Sequence, residues 1–303
     1  MSDTCCTLEG LFDWLLAETG VDFSCYRLNT MQRRLSKRRK ALGLGSEADY
    51  YAHIQSHPEE AGALFEEFLI GVTSFFRDPA TFLYLKEHVL PALFEKDPEE
   101  IRLWVPGCST GPEVYSYGIL LCEYRDKIGS DIPVRIFATE LNPRALATAR
   151  KGVYTERILE TLSADRRGRF FTPYKNGYRV TEELRRMVCF SRHNLLADPP
   201  YGRMDLVSCR NLLIYLKPEV QSQVISLFRC ALVDDGYLVL GTSERVEEMN
   251  RLFKQVDLKN KIYQAAAHAG PAREWRLPNK TEKTAPVSEM HIPSEKKEWE
   301  GEK

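Results

Sequence analysis

The stretch IRLWVPGCSTGPEVYSYGILLCEY (101–124) decides the fold, because it joins a short apolar run to a helix-like segment through a glycine-containing turn. The apolar run covers 101–105 and is broken by Pro106 and Gly107. The segment 113–124 then has the character of a helix. A buried strand, a tight turn and a helix in this order indicate the first βα unit of a doubly wound parallel sheet.

Downstream, the alternation of apolar runs and helix-like segments continues. The further runs are VRIFATE (134–140), MDLVSC (204–209) and GYLVLG (236–241), with helix-like stretches from Asn142–Pro143 onward and at 221–232. An asparagine N-cap followed by proline in the first turn is a strong helix start. We therefore predict an α/β fold with a parallel sheet, whose edge is closed by two strand-like pieces in 253–265.

Three regions depart from this alternation. Residues 1–80 carry apolar residues at helical spacing, which predicts an N-terminal helical domain before an α/β domain at 81–266. An Asn-Gly pair between short β-prone pieces predicts a small antiparallel insertion at about 168–192. Residues 267–303 combine many charges with little apolar material, so we expect a disordered charged tail.

The composition excludes several classes of protein. The 303 residues are 43% hydrophobic and 28% charged, which is ordinary for a globular chain. With 42 basic and 43 acidic residues, the net charge of −1 gives no global attraction to nucleic acid or to a membrane. No CxxC pair is present, so we expect no metal. The amino terminus does not resemble a signal peptide and no apolar run is long enough for a membrane span, so we expect a cytoplasmic monomer.

The turn after the first strand and the acid after the second indicate a nucleotide-like ligand. The turn opens a helix, whose free N–H groups favour an anionic or polar ligand, and it lacks the Lys-Ser/Thr ending of a P-loop. Glu140 ends the next strand, where doubly wound folds place an acid that holds ribose hydroxyls. An ordinary strand-to-helix turn and a solvated acid are the alternatives that these residues alone leave open.

Polar residues follow two further strands. Asn194 comes after the strand-like VCFS (188–191), and Asn211 and Tyr215 come after MDLVSC. Ligands of open α/β sheets collect at the carboxyl ends of the strands. Asparagine can both donate and accept along an adenine edge. Each asparagine alone is more typical of a turn, but together they favour a nucleoside site.

The segment TSFFRDPATF (73–82) lies at the junction of the two predicted domains. We expect Phe75 and Phe76 to be core residues. Arg77 is a candidate to pair with a carboxylate of cofactor or substrate. A surface ion pair between Arg77 and Asp78 is the alternative.

A basic segment precedes this junction. Between positions 23 and 46 no acid occurs, and the cations are Arg27, Arg33, Arg34, Lys37, Arg38, Arg39 and Lys40. A solvated helix face usually mixes charges of both signs, so this pattern favours an acidic partner. Nucleic acid also fits, although the segment lacks interleaved aromatic residues.

Several of these motifs together resemble the CheR-type chemotaxis receptor methyltransferases. The resemblance rests on FFRDPATF (75–82), GCSTGPEVYS (107–116), ATELNPRALATARKGVY (138–154), HNLL (193–196) and CRNLLIYL (209–216), in this order and spacing. It implies a Rossmann-like S-adenosylmethionine-dependent methyltransferase with a helical domain before it and a small β insertion. The activity that it implies is methylation of glutamate side chains on the cytoplasmic helices of chemoreceptors.

The resemblance also implies the site residues. The family's S-adenosylmethionine contacts fall on Thr73, Arg77, Glu113, Glu140, Asn194, Leu195, Asn211 and Leu212. Tyr215 matches a tyrosine near the transferred methyl group, and we take Arg77 and Tyr215 as the candidate catalytic residues. Glu113 would face the amino group of the cofactor and Glu140 its ribose. The basic segment, above all Arg27, Arg33, Arg34, Lys37 and Arg38, would dock the receptor.

Other functions remain open from the sequence alone. A methyltransferase that acts on RNA or on a small molecule is one, and a non-catalytic S-adenosylmethionine-binding signalling module is another. Within the family, some members bind a receptor's C-terminal pentapeptide by strand addition to the β insertion. Those members carry a longer loop than TPYKNG (172–177), so we expect no such tether here.

Overall fold

The computed structural model describes residues 7–245 and 249–267. Of the tail expected at 267–303, positions 268–303 lie outside the described residues. The amino-terminal region is helical, as its apolar spacing predicts. Its helices are α1 (Leu8–Thr19), α2 (Leu28–Ala41), α3 (Glu47–Ser56) and α4 (Glu60–Phe68).

Capping residues mark the start of α3 and the end of α2. Ser46 and Asp49 form a reciprocal capping box at the start of α3. Gly43 lies two residues after Ala41, the last residue of α2, with φ 72°, a left-handed conformation that glycine adopts without steric cost. The chain therefore leaves the helix at this glycine.

The remaining helices surround the sheet. They are α5 (Pro79–Tyr84), α6 (Leu90–Glu95), α7 (Pro112–Ile128), α8 (Pro143–Lys151), α9 (Glu156–Leu159), α10 (Ala164–Phe170), α11 (Glu182–Arg186), α12 (Pro218–Ala231) and α13 (Met249–Leu252). A π-helical turn, Leu85–Val89, connects α5 to α6. The N-cap of α8 is Asn142, whose side chain accepts from the N–H groups of Arg144 and Ala145, as its Asn-Pro start predicts.

The central sheet has the order β6-β2-β1-β7-β8-β10-β9 within residues 7–245 and 249–267. Its strands are β1 (Ile101–Pro106), β2 (Val134–Glu140), β6 (Val188–Arg192), β7 (Met204–Cys209), β8 (Leu232–Leu240), β9 (Phe253–Asp257) and β10 (Ile262–Ala265). The strands from β6 to β8 pair in parallel, whereas β10 runs antiparallel to both β8 and β9. The doubly wound parallel sheet and its closing edge pieces are thus confirmed.

A small antiparallel sheet forms beside the large one, in the order β3-β5-β4. Its strands are β3 (Val153–Tyr154), β4 (Phe171–Tyr174) and β5 (Gly177–Val180). The sheet reaches beyond the expected range of 168–192, because β3 follows α8 directly, and β6 belongs to the central sheet. The hairpin turns at Lys175, which has φ 49°, and Gly177 pairs with Tyr174 as the first residue of β5.

The core consists of two hydrophobic clusters, one on each face of the central sheet. Along β1, Leu103 points into the cluster that holds α7, and the neighbouring Trp104 points into the other. This alternation follows from the two-residue period of a strand. The second cluster also contains α12 and the apolar residues of the N-terminal helices, so the helical region and the sheet share one continuous core.

A short backbone link strengthens this union. The segment before α2 pairs with the segment around Tyr215 through Arg27 N to Tyr215 O at 2.8 Å and Lys217 N to Cys25 O at 3.0 Å. Tyr26 and Leu216 form the antiparallel bridge between these two bonds. The start of α2 and the chain around Tyr215 are therefore held in one register.

Candidate active site

The predicted site residues converge on one pocket at the carboxyl ends of β1, β2, β6 and β7. Its empty volume is about 1060 Å³, part of which is open to solvent. The pocket is lined by every residue that the resemblance assigns to the cofactor or to catalysis: Thr73, Arg77, Glu113, Glu140, Asn194, Leu195, Asn211, Leu212 and Tyr215. Convergence at this edge is what strand-end positions in a parallel sheet predict.

The glycines of the turn after β1 are required by close packing. A β-carbon on Gly111 would lie 2.9 Å from Tyr154 Oη and 3.0 Å from the β-carbon of Ala149. One on Gly107 would lie 3.1 Å from the Leu212 side chain. These glycines allow close packing of the turn against other parts of the protein.

Glu140 is anchored by backbone donors. Its Oε1 accepts from the N–H groups of Leu141 and Asn142 at 2.7 and 2.8 Å, and its Oε2 accepts from Ser109 N–H at 2.8 Å. A carboxylate has about four acceptor positions, so these three bonds leave about one position for a ribose hydroxyl, and the predicted ribose contact stays a prediction. Burial raises the pKa of Glu140, and the three N–H donors oppose that shift.

Glu113 stands at the first turn of α7 in a buried ionic network. Its Oε2 accepts from Arg210 at 3.1 Å, and its Oε1 accepts from the Ser208 hydroxyl at 2.9 Å. The Arg210 guanidinium also donates to Asp78 Oδ2 at 2.7 Å. Burial raises the pKa of Glu113, against the opposing charge of Arg210 and the Ser208 hydrogen bond.

The two asparagines of the pocket differ in their bonding. Asn194 Oδ1 accepts from Leu196 N–H at 3.0 Å, as in the turn that was the alternative for this residue. Asn211 has φ 60°, and its Oδ1 is buried without a hydrogen-bond partner in the part of the chain that the structure describes. A buried acceptor without a partner at a pocket wall favours a ligand that donates to it.

The buried carboxylate of Glu244 accepts hydrogen bonds from the backbone next to Asn211. Glu244 is 1% exposed and accepts from the N–H groups of Leu212, Leu213 and Gly241 at 3.0, 2.7 and 2.5 Å. Burial raises its pKa, and these N–H bonds oppose the shift. Glu244 therefore fixes the backbone that presents Asn211 to the pocket.

The two candidate catalytic residues, Arg77 and Tyr215, both line the pocket. Arg77 donates to Val72 O at 3.1 Å, and the surface pair with Asp78 does not form among the described residues, because Asp78 binds Arg210. Phe75 and Phe76 are buried core residues, as expected. The backbone carbonyl of Tyr215 accepts a hydrogen bond from Arg27 N–H. The helical region also contributes to the pocket wall through Tyr26, Phe68, Leu69, Ile70 and Val72.

The basic helix α2 differs from its sequence-based interpretation. Arg38 forms two bonds to Glu60 at 2.6 and 2.7 Å, and Arg34 and Lys37 both bind Glu67 at 3.1 and 2.9 Å. The assumption that these cations lack balancing acids is therefore wrong. Both acids lie on α4, which the fold brings against α2. Arg33 and Lys40 remain exposed, and Arg27 donates its Nε–H to Leu216 O at 3.0 Å.

Sequence reasoning missed several residues that shape the site. Arg210 lies beside Asn211 in the motif CRNLLIYL, and the sequence-based prediction gives it no role. The signal was available, since a cation directly after a buried strand needs a partner. Ser109 and Tyr26 gave no such signal, because a backbone donor and an aromatic residue before a helix have no distinctive pattern.

The donor set suits S-adenosylmethionine. The cofactor carries a cationic sulfonium, an ammonium group and donors on its ribose and adenine. The pocket offers the half-buried carboxylates of Glu113 and Glu140 and the unpartnered oxygen of Asn211. Anionic and acceptor groups that are partly shielded from solvent favour such a cation. Within the described part of the chain, no helix is long and apolar enough to cross a membrane, and no group of His, Cys, Asp and Glu residues could hold a metal ion.

The parallel sheet, the acid after β2 and the polar pocket at the strand ends define the class of Rossmann-like S-adenosylmethionine-dependent methyltransferases. Comparison with protein families narrows this class. A family described as "CheR methyltransferase, SAM binding domain" matches residues 71–262, and "CheR methyltransferase, all-alpha domain" matches residues 7–69. The chain belongs to the CheR methyltransferase family.

Individual relatives agree with this assignment. A "Chemotaxis protein methyltransferase 2" of Pseudomonas aeruginosa is 34% identical over 78% of this chain and 86% of its own length. A "Probable chemotaxis protein methyltransferase" of Rhizobium etli is 29% identical over 82% of this chain and 96% of its own. An uncharacterized 104.1 kDa protein of Rhodobacter capsulatus is 36% identical over 81% of this chain, which spans only 26% of that protein.

Proposed function

We propose that this chain transfers the methyl group of S-adenosylmethionine to glutamate side chains of chemoreceptors, in the cytoplasm, and so adjusts receptor signalling during adaptation. One observation carries the proposal: residues between Thr73 and Tyr215 that the family motifs assign to cofactor and catalysis all line one pocket. Relatives named chemotaxis protein methyltransferases support the choice of substrate.

The chemistry makes modest demands on the protein. A glutamate side chain has an ordinary pKa near 4.3, so it is already an anion at neutral pH. The acceptor therefore needs no general base. When bound, S-adenosylmethionine supplies the methyl group as an electrophile. The pocket must then align the acceptor oxygen and exclude water.

Each pocket residue has a part in that alignment. The Glu113 carboxylate would bind the ammonium group of the cofactor, and the remaining acceptor position of Glu140 would take one ribose hydroxyl. Arg77 and Tyr215, which both line the pocket, would orient the incoming glutamate. The apolar segment from Leu69 to Val72 would limit the access of water to the reacting groups.

The exposed face of α2 is the proposed receptor-docking surface. Its exposed cations are Arg33, Lys37 and Lys40, with Arg27 at the helix start. Lys37 keeps 66% of its side chain exposed despite its pair with Glu67. Opposite charge between this face and a glutamate-rich receptor helix would speed association and fix the partner's orientation.

Methyl transfer to a receptor fragment tests the proposal directly. Purified protein is incubated with radiolabelled S-adenosylmethionine and the cytoplasmic part of a chemoreceptor. We expect base-labile label on the receptor, since glutamate methyl esters hydrolyse in base. A receptor fragment with its methylation-region glutamates changed to alanine is the matched control and should stay unlabelled.

Other outcomes would identify the competing functions. Label on RNA or on a small molecule would assign the protein to another methyltransferase class. Cofactor binding without label on any acceptor would favour a non-catalytic signalling module.

A further inference from the structure

Arg210 is a buried arginine that joins two parts of the pocket wall. Its side chain is 0% exposed, and it lies directly after β7. Its Nη1 donates to Glu113 Oε2 at 3.1 Å, at the amino end of α7. Its Nη2 donates at 2.7 Å both to Asp78 Oδ2 and to the Arg77 carbonyl. The planar guanidinium thus connects α7 to the segment that carries Arg77.

The segment held by Arg210 has an unfavourable backbone. Phe76 has φ 48° and Asp78 has φ 58°, so left-handed residues flank Arg77 on both sides. Residues with a β-carbon adopt this conformation only when surrounding contacts impose it. Three hydrogen bonds hold this segment: those from Arg210 to Arg77 O and to Asp78 Oδ2, and the bond from Phe76 N–H to the Ser116 hydroxyl at 2.9 Å.

Arg210 also governs the charge of Glu113. The groups that face Glu113 are Arg210, Arg77, the Tyr117 phenol and the thiols of Cys108 and Cys209. Burial raises the pKa of the phenol and of both thiols, which keeps them neutral near pH 7. Arg210 and Arg77 are therefore the charges that favour the ionised form of Glu113.

We propose that Arg210 is a positioning residue of the cofactor site, which clamps the Arg77 segment against the amino end of α7 and thereby sets the placement of Arg77 and Glu113. The proposal rests on the proposed function, because it takes S-adenosylmethionine as the ligand of the pocket. Arg210 acts through its two partners and is not assigned a contact with the cofactor.

Cofactor affinity as a function of pH tests the clamp without any receptor. In Arg210→Met, Glu113 loses its nearest cation, so the pH below which S-adenosylmethionine binding is lost should rise by about one unit. Affinity at neutral pH should fall about 10- to 100-fold, since a bond between charged groups is removed. Titration calorimetry of the full-length protein measures both quantities.

Two further variants separate the charge of Arg210 from its geometry. Arg210→Lys keeps the cation but loses the planar fork, so the pH profile should stay near that of wild type while kcat falls at least 10-fold. Asp78→Asn removes the ion pair on the Arg77 side and leaves the bond to the Arg77 carbonyl, so it should lower kcat without moving the pH profile. Arg210→Lys and Asp78→Asn both retain a cation beside Glu113. We therefore expect these two variants to fold even if Arg210→Met fails to fold.

Arg229 provides the matched control. It is another buried arginine, bound to Asp234 Oδ1 at 2.7 Å and to Ala266 O at 2.6 Å, and it lies outside the pocket. Arg229→Met should change thermal stability and leave the affinity and its pH profile unchanged.

The outcomes distinguish this proposal from the proposed function. If wild type binds S-adenosylmethionine and the variants at Arg210 and Asp78 match it within twofold in affinity, pH profile and kcat, the clamp is refuted. If wild type itself does not bind S-adenosylmethionine, the proposed function fails first.

Discussion

The cofactor pocket and the basic helix α2 differ in how far the sequence predicts them. In the pocket, residues far apart in the chain meet because they follow strands of one parallel sheet. On α2, the local excess of cations is offset by Glu60 and Glu67, which lie 22 to 33 residues away from their partners. The topology of a parallel sheet therefore predicts which distant residues meet, whereas a count of charges in one segment does not reveal distant ion-pair partners.

The largest expected effect concerns the buried network of the pocket. Glu113→Ala should lower the free energy of unfolding by about 3 kcal/mol, because Arg210 loses one of its two carboxylates inside the protein. Urea denaturation without ligand measures this change. Glu100→Ala is the control, since its pairs with Arg102 and Arg135 lie nearer the surface and should contribute about 1 kcal/mol or less. Equal losses would mean that the pocket network has no special weight.

A somewhat smaller effect is expected at Glu140. Glu140→Ala should weaken S-adenosylmethionine binding about 5- to 150-fold, which corresponds to about 1–3 kcal/mol for bonds to a charged group. Calorimetry on the folded variant provides the measurement. Asp205→Ala is the matched control, because Asp205 also accepts a backbone N–H, from Arg102 at 2.8 Å, but lies outside the pocket. Unchanged affinity in Glu140→Ala would remove this residue from the cofactor site.

The α2 surface should separate into paired and free cations. Arg38→Glu should destabilise the protein by about 2 kcal/mol, because Glu60 then faces a like charge in a partly buried position. Arg33→Glu should leave stability unchanged, raise the KM for receptor about twofold to fivefold and flatten its salt dependence. Receptor methylation against salt concentration tests the second claim. Identical salt curves for Arg33→Glu and wild type would show that α2 is only a solvated face.

The pH dependence of the pocket should have two opposite signs. Burial raises the pKa of Glu113, Glu140 and Glu244 above the ordinary 4.5, so the folded protein binds more protons than the unfolded chain between 4.5 and those raised values. Ligand-free stability should therefore rise as the pH falls through this window. Cofactor affinity should fall over the same window, because the ammonium group needs an ionised Glu113. Parallel trends in denaturation and binding would contradict this assignment.

The smallest effect is expected at the β insertion. The N–H group of Val180 on β5 donates to Gly152 O, on the β3 side of the small sheet. Val180 pairs with Phe171 on β4. The backbone groups of Phe171, and of Pro173 two residues later, therefore point away from β5, to the outer edge of β4. Proline has no N–H to offer an added strand. Calorimetry should detect no micromolar binding of a receptor C-terminal pentapeptide. Micromolar affinity would show that the insertion docks receptors despite this edge.

Much of the fold follows from patterns that the sequence displays openly. The strands of the sheet, the cap at Gly43 and the Asn142 helix start all rest on local chemistry or on periodicity. The pairing of β3 with β5 was missed, because two residues after a helix give no strand signal.

The sequence predicted which side chains at strand ends meet in one pocket, but it did not predict the residues that support them. Arg210, Glu244 and the backbone donors to Glu140 act through contacts that only the folded chain creates. The number of bonds already made by Glu140 could not be read from its place in the sequence.

The bridge between Tyr26 and Leu216 joins the helical region to the sheet domain, so we expect the two to fold and function only together. Removing residues 1–70 would take away one wall of the pocket and uncover Leu213 and Leu216, which are 1% exposed in the folded chain. A fusion protein that contained only the sheet domain would therefore have an incomplete pocket and an exposed hydrophobic surface beside it. A multidomain protein that contains this methyltransferase domain should therefore also contain its N-terminal helices.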